Sequence, residues 1–308
     1  MIQIRVSWIM SSLLCVTLQV GDRSDPVNLT HGRLGRWETK QGLTVLIYKG
    51  KQVEAVDVVT KKLTTIVAAN ADAEKGWPGM ASFSPDGSEI TFKEEGEEGG
   101  DPLIVFNPQK RTREVLLKMP YLDGPRWSPD GTGIAFEGRS EASGDYSLYL
   151  YSISGGKLST VLKGQLKGGE MLFSWAPDGK RIVFQSTAND ICVLDITTGQ
   201  RTRIDSGWFP TWSPNGRYIA YRADGADDPG YIVYDLQTHN RQAILRGRSV
   251  YRSLIWSPDS KCLIYAADGR GEYYGDLLVL DLATMKETRV LRFEESVYPT
   301  DWKRDAQL

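Results

Sequence analysis

Between residues 77 and 285 the chain is written in short apolar runs separated by turn formers. "GIAFEG" (133–138) is followed by "SLYLYSI" (147–153) and, after "SGG", by "KLSTVLK" (157–163). Apolar side chains at alternate positions belong to strands, because successive side chains point to opposite faces of a sheet. The middle run recurs as "LIVFN" (103–107), "ICVLDI" (191–196), "YIVYDL" (231–236) and "LLVLDL" (277–282). Its nearly continuous apolar character marks a strand covered on both faces.

Each group of runs opens with an aromatic residue and a turn: "SFSPDG", "RWSPDG", "SWAPDG", "TWSPNG" and "IWSPDS". The aromatics are Phe83, Trp127, Trp175, Trp212 and Trp256, at spacings of 44, 48, 37 and 44 residues. Trp37 and Trp302 extend the series, each 46 residues beyond its neighbour. A period of this order, with Gly and Trp at fixed places, predicts an all-β, six-bladed β-propeller of four-stranded antiparallel blades. The blades open at Trp37, Phe83, Trp127, Trp175, Trp212 and Trp256. The C-terminal stretch "VYPTDW" (297–302) is expected to pair in or beside the first blade, closing the ring and hiding a sheet edge.

The turn explains its own residues. In "SPDG", proline presets φ near −65°, the aspartate bonds its own turn backbone, and glycine supplies a positive φ. The aromatic before it stands on the innermost strand and fills the gap between blades. Phe83, Asp86, Trp127, Asp130, Trp175, Asp178, Trp212, Asn215, Trp256 and Asp259 are therefore structural-repeat positions. Their acids are not a catalytic set, since each sits in a separate blade. Asn215 keeps turn chemistry, Ala176 replaces serine, and Ser260 replaces glycine with some strain.

These residues are similar to the WD40-like PD40 repeats of the TolB family of β-propellers. The resemblance covers residues 77–285 well and residues 30–76 and 286–308 faintly. It implies the fold. For function it implies a choice, because similar repeats occur in TolB-like scaffolds, in propeller domains of prolyl-oligopeptidase-type peptidases and in some polysaccharide lyases.

Composition narrows that choice. Net charge is −2, from 37 basic and 39 acidic residues, with no basic stripe for nucleic acid. Residues 1–24, with Arg5 and an apolar run from Trp8 to Val20, read as a signal peptide or leader before a single propeller domain over 25–308. That points to a periplasmic or secreted protein without stable membrane insertion, the cytoplasm being the alternative. Cys15, Cys192 and Cys262 match no zinc or disulfide framework, and the last two read as buried free thiols.

Recognisable chemistry is scarce. His31 and His239 are the only histidines, and neither has a second ligand at metal spacing. No G-x-S-x-G elbow and no phosphate-cradling motif occurs. Charge, however, segregates by loop. The loops joining second to third strands hold fifteen acids against four bases, among them Glu94, Glu95, Glu97, Glu98, Asp145, Asp224, Asp227 and Asp228. Turns between third and fourth strands, at the opposite end, are basic. Tyr231, Tyr273 and Tyr274, with Trp77 and Trp208 on connectors, would make an aromatic rim. No cofactor is expected, calcium at "DGADDPG" (224–230) being a subordinate reading. The expected function is a non-catalytic scaffold binding a protein or peptide, with the acidic loop face favouring basic partners. A carbohydrate-active or small-ester enzyme with its site in the central channel is the alternative.

Overall fold

The computed structural model describes residues 43–49, 52–58, 60–67, 81–94, 100–141, 145–166, 172–224, 230–246, 250, 254–268, 275–293 and 297–304. Residues 1–24 with Cys15, and His31, Trp37 and Trp77, lie outside them. The described residues form strands and turns, with no helix.

In chain order β1 (Leu43–Lys49), β2 (Gln52–Asp57) and β3 (Leu63–Val67) make one antiparallel meander. The next sheet is β4 (Ser82–Phe83), β5 (Ile90–Lys93), β6 (Asp101–Asn107) and β7 (Thr112–Met119). It is followed by β8 (Tyr121–Trp127), β9 (Gly133–Arg139), β10 (Ser147–Ser152) and β11 (Lys157–Leu162). A seven-stranded sheet contains β12 (Phe173–Trp175), β13 (Arg181–Gln185), β14 (Asp190–Asp195), β15 (Arg201–Trp212), β16 (Tyr218–Ala223), β17 (Tyr231–Asp235) and β18 (Arg241–Ile244). The last sheet is β19 (Ile255–Trp256), β20 (Cys262–Asp268), β21 (Gly275–Asp281) and β22 (Glu287–Phe293). Then β23 (Val297–Arg304) returns to the start and pairs antiparallel with β1, from Leu43↔Arg304 to Lys49↔Val297. The expected closure by the C-terminal strand is thus present, and it covers what would be an open edge of β1.

Apolar layers between successive sheets hold this propeller-like arrangement together. Phe83, Ile90 and Phe92 pack on Leu46 and Val53 of the preceding sheet, and Trp127 packs on Leu103 and Val105. The series closes where Val45 and Ile47 of β1 meet Ile264 of β20 and Leu277 of β21. The repeat aromatics therefore fill gaps between sheets, as their place before the turn suggests. Neither Cys192 nor Cys262 is in a disulfide, the first being half-buried and the second buried.

β15 departs from the expected connector. Its first half pairs with β14, from Arg201↔Leu194 to Ser206↔Asp190, and its second half with β16, from Gly207↔Ala223 to Trp212↔Ile219. Trp208 is therefore a strand residue. Gly207 sits where the strand changes partner, and a Cβ there would lie 2.3 Å from the Arg222 carbonyl oxygen.

The opening strands come in two kinds. β4, β12 and β19 are two, three and two residues long. β8, β15 and β23 are seven, twelve and eight, and each accommodates one extra residue as a bulge against its partner. Gly124 and Phe209, both at φ 55°, occupy matching places in the bulges of β8 and β15, each followed by a proline.

Candidate functional site

The turns that follow β4, β8, β12, β15 and β19 ring one end of a channel. In four of them, all but the turn after β12 where Ala176 stands, the serine after the repeat aromatic anchors the loop. The hydroxyls of Ser84, Ser128 and Ser257 donate to Asp86, Asp130 and Asp259 at 2.6 Å, and Ser213 donates to Asn215 Oδ1 at 2.7 Å. The serine bond, joined by a backbone N–H two residues on, holds the carboxyls of Asp86 and Asp130 below the usual aspartate range. Adjacent turns also touch. Gly131 faces the Pro85 ring, Gly179 faces Pro129, and Gly216 faces Pro177. At the next junction Ser260, at φ 60°, has no glycine's freedom, and its hydroxyl accepts the Asn215 N–H at 3.0 Å.

Inside the mouth lies a cavity of about 400 Å³ whose lining comes from β4, β8, β12, β15, β19 and β23. The residue immediately before each repeat aromatic contributes to its wall: Ser82, Arg126, Ser174, Thr211, Ile255 and Asp301. Along a strand that position faces away from the inter-sheet layer that takes the aromatic, hence into the channel. Three of these residues are hydroxylic and one is aliphatic. The charged pair, Arg126 and Asp301, stands on bulged strands.

Asp301 also bridges sheets, its Oδ2 accepting the Phe83 N–H at 2.8 Å. Ser174 plays the same part further round, its Oγ accepting the Trp212 N–H at 3.1 Å. Burial pushes the pKa of Arg126 below the ordinary arginine value, while Asp301, Asp123 and Glu137 oppose the shift by stabilising its charge. Behind it Lys93 lies 3.9 Å from Asp123 and 3.8 Å from Asp101. The fully buried Glu137 accepts the Leu172 N–H at 2.9 Å, and Arg139 stacks over the rings of Tyr121 and Tyr146.

The residues proposed for the acidic face fare differently. Glu95, Glu97, Glu98, Asp227, Asp228, Tyr273 and Tyr274 lie outside the described residues. Glu94 is held by Arg113 at 2.6 Å, and Asp145 and Asp224 are exposed. Other acids of those loops are also engaged, Asp190 by Arg203 at 2.7 Å and Asp276 by Arg292 at 2.8 Å. Arginines on fourth strands thus neutralise part of the field that the loops suggest. The opposite end is less basic than its third-to-fourth-strand turns imply, because Asp86, Asp130, Asp178 and Asp259 share it. Tyr231 is buried at the start of β17 and belongs to the core, not to a rim. His239, exposed in its turn, shares a hydrogen bond with the Tyr234 hydroxyl at 2.8 Å.

Sequence reasoning missed Arg126 and Asp301. The available signal was positional: one residue before each aromatic changes freely while the rest of the motif repeats. Among the described residues no three His, Cys, Asp or Glu side chains are grouped to hold a metal ion, and no helix is long and apolar enough to cross a membrane.

No protein-family model matches the chain. Over 144 residues it is 26% identical to dipeptidyl-peptidase 5 of Porphyromonas gingivalis, covering 41% of this chain and 21% of that protein. Over 143 residues it is 31% identical to the guanine nucleotide-binding protein subunit beta of Zea mays, covering 45% of this chain and 33% of that one. The alignments thus span less than half the length of these curated relatives. Among solved structures, TolB from Acinetobacter baumannii superposes with a TM-score of 0.71 at 19% identity, covering 85% of this chain and 66% of that one. An oligogalacturonate lyase from Vibrio parahaemolyticus gives 0.56 at 14% identity, covering 83% and 75%. At such identities the structural likeness is one of fold.

Proposed function

We propose that this chain, a TolB-like and WD40-like β-propeller, is a non-catalytic scaffold that binds a segment of another protein in its channel mouth. The observation that carries the reading is the cavity of about 400 Å³ walled by opening strands, with Arg126 and Asp301 as its charged groups. A concave site with few convergent polar groups is the usual form of a binding pocket. Arg126 and Asp301 are spent on one another's charge and on the sheet junction, which suits recognition better than proton transfer. The blade count belongs to the same reading. Dividing the seven-stranded sheet within β15 makes two blades that share one long strand, and six in all. The leader-like residues 1–24 support export, to the periplasm or beyond the cell, as part of the same reading.

Thermal unfolding tests the proposal, using the full chain with a pool of randomised decapeptides and, separately, with oligouronates. A ligand at a hundred times its dissociation constant adds about 2.7 kcal/mol, which raises Tm by roughly 4 °C in a chain of this size. Stabilisation by peptide that disappears in Thr211→Trp, which fills the channel, is the expected result. Turnover of an oligouronate would replace the scaffold reading with the enzymatic one.

A further inference from the structure

We propose that Asn215 is a site of self-modification: it deamidates through the backbone of Gly216 when the turn after β15 opens, and the aspartate formed completes the ring of acids at the channel mouth.

The sequence places the reaction. Asn215–Gly216 is the only Asn-Gly pair in the chain. Glycine has no Cβ, so its backbone nitrogen is open to the side chain that precedes it. That nitrogen attacks Cγ of Asn215. The new N–Cγ bond forms as the Cγ–Nδ2 bond breaks, and ammonia leaves carrying the Gly216 amide proton. Water then adds to the succinimide and opens it on one side to aspartate, on the other to isoaspartate. Nothing is oxidised or reduced, and water is the co-reactant. Asn215 is exposed, so water reaches it.

The turn supplies the gate. Asn215 Oδ1 accepts the Ser213 hydroxyl at 2.7 Å and the Arg217 N–H at 3.0 Å. The attacking Gly216 nitrogen donates its proton to the Ser213 carbonyl at 2.9 Å. The Asn215 N–H is tied to Ser260 Oγ at 3.0 Å. Both reacting groups are therefore held in other bonds. The rate then follows the fraction of time for which this turn is open.

The neighbouring turns show which product fits. Ser84, Ser128 and Ser257 donate to Asp86, Asp130 and Asp259 at 2.6 Å. The same carboxylate oxygens accept the N–H groups of Ser88, Thr132 and Lys261 at 3.0, 3.0 and 3.1 Å. Asn215 Oδ1 has this pair of donors already. An aspartate takes its place and makes both bonds to a charged acceptor, which strengthens them. Isoaspartate instead adds a methylene to the backbone, inside a turn that Gly216 N–H must close onto Ser213. With Asp178 in the turn after β12, all five turns at the mouth would then carry an acid.

Incubation of the full chain at mildly alkaline pH, followed by peptide mass spectrometry, tests this. Acid should accumulate at position 215 at least about ten-fold more slowly in the folded chain than in urea. Ser213→Ala, which frees Oδ1, should speed the folded reaction about five-fold. Ser260→Gly should speed it by a similar factor at unchanged Tm, a combination that global unfolding cannot produce. Asn215→Asp should melt no lower than the unaltered chain. Equal rates in folded and unfolded protein, or a folded rate that neither serine variant changes, would overturn the gate. An Asn215 that keeps its amide in urea would overturn the site. A lower Tm for Asn215→Asp would overturn the fit of the product.

Discussion

At the residue scale, the turn repeat breaks its pattern at Ala176, Asn215 and Ser260, and the last two meet. Ser260 adopts the positive φ that glycine holds elsewhere, and its hydroxyl receives the Asn215 N–H. Ser260→Gly relieves the backbone and loses that bond, so the two effects, each about 1 kcal/mol, nearly cancel. Ser260→Ala keeps the strain and loses the bond. It should be about 1 kcal/mol less stable than the glycine variant, as urea unfolding of both will show. The turns themselves were legible in the sequence because proline, aspartate and glycine act locally. Arg126 and Asp301 were not, since 175 residues separate them and only the closed ring brings them to one channel.

At the element scale, β15 shows where pattern reading stops. "RTRIDSGWFPTW" was expected to contain a connector bearing Trp208, and instead it runs as one strand between two partners. Alternation within a strand says nothing about which neighbour it pairs with. Gly207 makes the transfer feasible, since a side chain there would collide with the Arg222 backbone. Gly207→Ala should therefore cost about 1–3 kcal/mol, through a clash that backbone on both sides must absorb. Denaturant unfolding measures the loss, and a stability equal to that of the unaltered chain would remove Gly207 from this account. The bulges were hidden for a related reason: one extra residue on a strand changes register without changing composition.

At the scale of the whole molecule, the sequence period implied a ring, and the pairing of β23 with β1 closes it. The charge of its two ends was read less well. Loop composition counts acids but not the fourth-strand arginines that reach back to Glu94, Asp190 and Asp276. Removal of residues 297–308 should uncover the full edge of β1 and take away Asp301. The expected outcome is a large fall in Tm together with self-association, measured by scanning calorimetry and light scattering.

The same seam sets a schedule for biosynthesis. About 250 residues lie between β1 and the strand it needs, so at roughly 5–20 residues per second a ribosome takes about 12–50 s to deliver the partner. Throughout that interval the nascent chain carries an unpaired sheet edge of seven residues at its front. The first sheet to be made is the last to be completed, and its waiting time is the period in which a growing chain is most exposed to capture by another strand.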